Sequence, residues 1–318
     1  MTSVVEACRL MWVPGIDRLD GKPSYNMHGW LTTENFAPTI TDGIIELQGV
    51  DPKILLQAFA GDLNRVALAG SESLNNIVNI PTIPKSLGWP YVKLYYSAFF
   101  YAHAILRAWG RSPSYLRTSD LIRVKQVFQL YTLSPPFKLQ TGQYLLSAGS
   151  NADSLFIAPM NSGGGTHEAI WRIFQTELSD LQSRVIAAPY TSSDKGAISG
   201  ALNSAVNLLT NHGANTAWPS AMRNDIQYRQ TEGLWFPYTG RKKTVDFARH
   251  VTDILCDTKK TEDVLACQND NLSRFQAACS FVVVLARQML SDLSQVGGAK
   301  SFLKFGQSDF ERSLTTNT

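Results

Sequence analysis

The sequence predicts a mainly α fold: a helical bundle with one small β-hairpin insertion and an irregular N-terminal extension. Three observations carry that expectation. After residue 85, apolar residues recur at the three-to-four spacing of amphipathic helices along most of the chain. Between about 137 and 160 the pattern changes to two short strand-like runs around a polar tip. Before residue 85 the apolar runs are short and broken by Pro14, Pro23, Pro38, Pro52, Pro81 and Pro84, the signature of loops and short elements. The expected organisation is an N-terminal extension over 1–85 and one helical domain over 86–318 that carries the hairpin.

Within the extension, Gly43 to Gly49 reads as a brief strand. Asp51 as N-cap, Pro52 at the first helical position and Gly70 as the stop frame a helix over Ile54 to Ala69. The strongest helix runs from Ser86 to Gly110. It is apolar nearly all round, so it is expected to be buried between other helices or at a subunit interface. A second amphipathic helix follows Pro113, from about Ser119 to Tyr131, and Pro135-Pro136 closes it. The hairpin places Tyr144, Leu145 and Leu146 opposite Leu155, Phe156 and Ile157, and lies on helices because an isolated hairpin is barely stable. Further helices are expected from His167 to about Ala188, Ser193 to about Thr210, Thr244 to about Leu255, and Asp270 to Leu293.

Composition sets the outer limits. With 318 residues, 44% hydrophobic and 17% charged, the chain has room for one large domain or two small ones. A formal net charge of +3 means that any surface for nucleic acid has to be local. Cys8, Cys256, Cys267 and Cys279 have neither CxxC spacing nor paired histidines, which argues against a zinc site or a disulfide framework and fits reduced thiols in a cytoplasm. The glycine run Gly163 to Gly165 lacks the spacing of a nucleotide-binding loop, so no cofactor is indicated. The N-terminus has no basic flank and an early Glu6, unlike a signal peptide. The apolar run from Cys279 to Ala286 is too short for a bilayer and reads as part of a buried helix, so no membrane partner is expected.

Chemistry is expected in the stretch from Trp218 to Tyr238. Pro219 suits a first helical turn and Gly233 a stop, giving a short helix to about Thr231 that bears Arg223, Asn224, Tyr228 and Arg229. Asn224 and Tyr228 are four residues apart and share a face. Two arginines, an amide and a phenol, docked by the aromatics from Leu234 to Tyr238, fit a phosphate or nucleic-acid site. The plainer alternative is that both arginines bind carboxylates of neighbouring helices. Arg241, Lys242 and Lys243 form a compact basic patch just downstream. His167 and Glu168, in the first turn of a long helix, are candidate partners. His103 is another, although a histidine on so apolar a helix is more often a hydrogen-bonded core residue.

Two segments together resemble the HEPN superfamily. Tyr95-Tyr-Ser-Ala-Phe-Phe-Tyr-Ala-His-Ala-Ile-Leu-Arg-Ala-Trp-Gly110 resembles the aromatic helix of those proteins, Tyr-Tyr-x-Ala-Phe-x-x-Ala-x-x-Leu-Leu-Arg-x-x-Gly. Arg223-Asn-Asp-Ile-Gln-Tyr-Arg229 is similar to their signature helix, in which an Arg and a polar residue, often Asn, precede three variable residues and a His. Gly163-Gly-Gly-Thr-His-Glu168 before a long helix is similar to some prokaryotic members. The resemblance covers roughly residues 86 to 290.

The resemblance implies a HEPN-like helical bundle, usually a homodimer or a HEPN-like heteromer, with two signature helices meeting at a cleft. Active members are metal-independent ribonucleases of bacterial defence and toxin–antitoxin systems. In them the Arg stabilises charge on the scissile phosphate, the His transfers protons and the polar residue orients both. That division suits phosphoryl chemistry, which needs a cation on the phosphate oxygens and a proton carrier. This chain departs from the pattern at the His, where Tyr228 stands. A phenol with an ordinary pKa of about 10 is a poor base near neutrality. Two readings stay open: an RNA-cleaving effector using Arg223 and Asn224, with a base such as Tyr228, His167 or His103; or a non-catalytic subunit that binds RNA, nucleotide or a defence-system protein partner.

Overall fold

A computed structural model describes residues 3–78, 86–160, 165–213, 215–236, 241–255, 261, 263–265 and 270–306. Among these residues the architecture is mainly α, with ten α-helices and one five-stranded antiparallel sheet. The chain opens with α1 (Val4–Ala7), capped by reciprocal Ser3 and Glu6 hydrogen bonds. After 3-10 turns come α2 (Met27–Thr33), then β1 (Ala37–Thr41) and β2 (Ile44–Gln48). Helices α3 (Pro52–Val78) and α4 (Gly88–Ala108) lead to β3 (Arg111–Leu116), α5 (Thr118–Leu130), β4 (Gly142–Ala148) and β5 (Ser154–Pro159). The remainder is helical: α6 (Thr166–Ala187), α7 (Ser192–Leu209), α8 (Trp218–Asn224), α9 (Arg241–Leu255) and α10 (Asn271–Val296).

By packing, the chain divides into two units that alternate along the sequence. The first comprises Met1–Leu10, Val66–Ala102 and His167–Asp292; the second comprises Met11–Arg65, His103–Thr166 and Leu293–Thr318. Each unit draws segments from both sides of residue 85.

The second unit holds the sheet, in the order β1-β2-β5-β4-β3. Ile45, Leu47, Tyr144, Leu146, Leu155 and Ile157 alternate onto one face and pack with Trp30 and Leu31 of α2, Phe59 of α3 and Leu121, Val124 and Phe128 of α5. The expected hairpin is present as β4 and β5, but it is the middle of a five-stranded sheet and not a separate two-stranded insertion. The strands missed from the sequence are the two edges. Pro38 in β1 and Pro113 in β3 read as loop signals. Both are tolerated because an edge strand has one side with no ladder to satisfy.

The first unit is built on helices. From α4, Tyr91, Leu94, Tyr95, Ala98, Phe99, Tyr101 and Ala102 are all buried within the single chain, so the all-round apolarity of this helix needs no partner copy. Tyr95 and Tyr91 stack on Phe275 of α10 at 6.2 and 6.4 Å between ring centres. Helix α10 is long and apolar enough to cross a membrane, yet 78% of its most apolar window is buried inside the protein, as the buried-helix reading expects. Cys8 and Cys279 are free thiols in this interior, pushed up by burial, whereas Cys256 and Cys267 lie outside the described residues.

Two expected helix ends move. Asp51 and Pro52 do start α3, with Asp51 Oδ1 accepting from Lys53 N at 2.8 Å, but Gly70 does not stop it. Gly70 sits where α3 meets α4: Ser97 Oγ donates to its carbonyl at 2.9 Å, and a Cβ there would lie 2.9 Å from the Tyr101 ring. The Arg223 helix ends slightly early, at Arg229 with Gln230 as its cap in the left-handed region at φ 56°, about two residues short of the expected Thr231, and Gly233 is not the cap. Its last turn, Asp225–Arg229, is a π-turn.

Candidate functional site

The π-turn decides what surrounds Arg223. Such turns are wider than α-helical ones and are frequent at functional sites. Trp218, Met222 and Ile226 bury one side of the segment. Trp235 Nε1 donates to Ile226 O at 2.8 Å, and Leu87 N donates to Leu234 O at 2.7 Å, pinning the following strand of chain beside α4. Gln175 of α6 holds the approach to α8 by donating to Thr216 O at 2.8 Å.

Held in this way, Arg223 is only 8% exposed. Its guanidinium carbon lies 5.5 Å from the ring centre of Tyr95, 5.9 Å from that of Tyr96 and 5.8 Å from that of Tyr228. Its hydrogen bond among the described residues is a long one, Nη1 to Gln227 Oε1 at 3.4 Å, and its buried Nε has no acceptor. No carboxylate of the described residues lies within ion-pair distance. Arg229 pairs with Asp225 of its own turn at 2.8 Å on an exposed face, so among the described residues neither arginine meets a carboxylate of a neighbouring helix.

His167, at the start of α6, comes to the same place. Its ring stacks on Phe99 at 4.2 Å, and its Nδ1 lies 2.9 Å from the Tyr95 hydroxyl. Trp171, one turn further along α6, donates its indole N–H to that hydroxyl at 3.2 Å. Burial, and then the charge of Arg223, push the imidazole down to about 4, so it is neutral at physiological pH. Burial raises the Tyr95 phenol to about 12 and keeps it protonated.

The other candidates separate into several groups. Tyr228 is 67% exposed and covers Arg223 from the solvent side. Asn224 is half-buried and makes no side-chain hydrogen bond among the described residues. Glu168 pairs with Arg172 at 3.3 Å on the surface of α6 and not with His167. His103 belongs to the second unit, where its Nδ1 meets the buried Arg107 at 2.9 Å; it is the core histidine that its helix suggests. Arg241, Lys242 and Lys243 open α9, and their side chains lie outside the described residues. A depression of about 410 Å³ in the second unit, lined by Asn35, Phe36, Arg123, Val127 and Tyr131, holds none of these candidates.

The sequence singled out Arg223 and His167 and missed Tyr95, Tyr96, Phe99 and Trp171 as their surroundings. The signal was the aromatic excess on every face of α4, which a core alone does not require. Arranged together, a guanidinium with no carboxylate partner among the described residues and a neutral imidazole can bind an anion and carry a proton. Comparison with protein-family models, curated proteins and solved structures finds no match to this chain.

Proposed function

We propose that the chain is an RNA-directed effector of the HEPN kind, acting in a bacterial defence or toxin module as a metal-independent ribonuclease. The observation that supports it most is the buried Arg223, with no carboxylate partner among the described residues, beside the neutral ring of His167. In this reading the guanidinium binds the phosphate oxygens, where a planar set of donors and a fixed charge serve better than an ammonium. His167 takes the proton of the ribose 2′-hydroxyl as its oxygen attacks phosphorus. The bond to the 5′-oxygen breaks, that oxygen takes a proton from water, and a 2′,3′-cyclic phosphate and a 5′-hydroxyl end remain. Burial is the larger cause of the neutral His167 and the charge of Arg223 the lesser; an anion bound next to Arg223 offsets the lesser one, so substrate raises the basicity of the ring. Tyr228 lies over the guanidinium as a surface for ribose or base and not as the proton carrier.

The test is cleavage of single-stranded RNA in the presence of EDTA. Arg223→Lys is expected to lose nearly as much activity as Arg223→Ala, at least about 100-fold; His167→Gln is expected to do the same, and Tyr228→Phe to retain most activity. Equal cleavage by Arg223→Ala and the parent protein removes the proposal. Binding that depends on Arg223, without cleavage by any form, leaves the non-catalytic RNA- or nucleotide-binding reading, which the exposed Tyr228 at the family's histidine position favours.

The reading also includes pairing, with a second copy or a HEPN-like subunit. Its support is the set of aromatics left uncovered in the first unit: Trp89 at 55%, Tyr228 at 67% and Phe236 at 61% exposure. Sedimentation is expected to give a dimer that Trp89→Ser with Phe236→Ser weakens. A monomer at every concentration counts against it.

A further inference from the structure

We propose that a depression of the second unit, between the α2–β1 corner and the C-terminal half of α5, is a docking site for an acidic segment of a partner protein. That segment seats a large apolar side chain in the depression and sets a carboxylate on Arg123. The site stands apart from the ribonuclease reading and uses none of its residues.

The first observation is apolar exposure. Helix α5 ends in Leu130, at 79% exposure, followed by Tyr131 at 51%; Ile122 and Leu133 are exposed as well. Single exposed apolar residues are ordinary, but four on one helix and its cap form a patch. Ile122, Gln126 and Leu130 follow each other at four-residue steps and so make one stripe along the helix. Val127, Leu130 and Tyr131, together with Asn35 and Phe36, line the depression of about 410 Å³, a size that takes a large side chain.

The helix is also stopped here under strain. Thr132 N donates to Gln129 O at 3.0 Å and Leu133 N to Phe128 O at 2.9 Å, the paired bonds of a cap that requires a left-handed residue. Glycine is usual at that position. This chain has Thr132 at φ 54°, where a β-branched side chain is strained. Strain kept beside an exposed apolar patch points to a use for the patch.

Charge selects the partner. The one acid of α5, Asp120, is buried and held by Arg117 and His28. The charge that the helix shows to solvent is Arg123, half-buried, and Lys125, exposed, and neither has an ion pair among the described residues. Arg123 makes one hydrogen bond among those residues, Nη2 to Asn35 Oδ1 at 2.8 Å, so its fork keeps donors for a carboxylate. Glu34, next to Asn35, is the only acid from Thr33 to Thr41, which leaves the rim positive on balance. A second copy brings these same cations face to face. Single-stranded RNA is held by rings that stack on its bases, whereas Ile122, Leu130 and Leu133 are aliphatic. An acidic segment with an apolar anchor matches both the patch and its charge.

The experiment selects random peptides displayed on phage against the full chain, with depletion on the double variant Leu130→Ser, Tyr131→Ser. Sequences rich in Asp, Glu and large apolar residues are expected. The strongest of them, measured by fluorescence anisotropy, should bind the double variant and Arg123→Gln at least about tenfold more weakly than the parent protein. Its binding should also weaken as salt rises. Leu130 and Tyr131 are both exposed, so the double variant is expected to melt with the parent protein. Should it fail to fold, Lys125→Glu on the exposed face carries the charge test, with an expected loss of about threefold or more. Recovery of basic or uncharged peptides, or of none, overturns the proposal. So does a single-stranded RNA whose binding falls in the double variant, or a dimer in sedimentation that the double variant splits; the surface then belongs to RNA or to a second copy. RNA cleavage is expected to be unchanged in the double variant. If the parent protein cleaves no RNA and still takes acidic peptides at this surface, the ribonuclease reading falls and the docking site stands.

Discussion

A guanidinium withdrawn from water without a carboxylate costs several kcal/mol in a protein interior. At Arg223 three tyrosine rings return part of that cost, at about 0.5–2 kcal/mol each. The unpaired Nε returns none of it. Such a residue serves binding better than it serves stability, and the two roles can be told apart. Arg223→Met keeps the apolar stem between the rings and removes the charge. The free protein is expected to melt at the same temperature or higher, with a gain of up to about 3 kcal/mol, while RNA binding is lost. A loss of more than about 2 kcal/mol would make the Arg–tyrosine contacts structural support and end the site reading. Arg223 and His167 were both legible in the sequence as single candidates. Their meeting at Tyr95 was not, because apolar periodicity reports which residues are buried and not which buried polar atoms pair across 72 positions.

At the scale of elements, helices were legible wherever a cap or stop acted locally, as at Asp51-Pro52 for α3 and Gly110, at φ 71°, after α4. The edge strands were not, since a proline is a loop signal in sequence and a permitted edge residue in a sheet. One local signal was passed over: Asp42 and Gly43, both at positive φ, make the two-residue turn that joins β1 to β2. Glycine misled at position 70, where its role is contact and not helix termination. This separates two glycines within helices. Gly70→Ala improves helix propensity by about 1 kcal/mol but drives a methyl into the Tyr101 ring, so a net loss of about 1–2 kcal/mol is expected. Gly200→Ala in α7 meets nothing within 4 Å and should stabilise by about 0.5–1 kcal/mol. Urea melts of the two variants check the pair; equal effects would contradict the close contact of α3 with α4.

On the scale of the whole molecule, mainly α was legible and the division into two units was not. Three of their five boundaries fall inside the continuous helices α3, α4 and α10, where no shift of composition marks them. Each unit carries its own response to acid. In the first, His167 takes up its proton at about 4 when folded and at about 6.5 when unfolded. Between those values the unfolded chain binds the extra proton, so stability falls as pH drops from about 6.5 to about 4 and is unaffected by this group below that. In the second unit burial works against ionisation of Asp120, but the Arg117 N–H at 2.7 Å and the His28 ring at 2.9 Å outweigh it and hold the carboxyl below its ordinary value. Its contribution is present above the ordinary carboxylate range and is lost as pH falls through the folded value. Acid destabilisation should therefore begin near pH 6.5, well before carboxylates titrate. His167→Gln can still hydrogen-bond Tyr95 but has no proton to take up. Calorimetric melts from pH 8 to 3.5 should show the variant flat where the parent protein declines between 6.5 and 4.5, with the two falling together below that. Curves that run parallel across the whole range would mean that His167 titrates alike in the folded and unfolded chain, contrary to its burial beside Arg223.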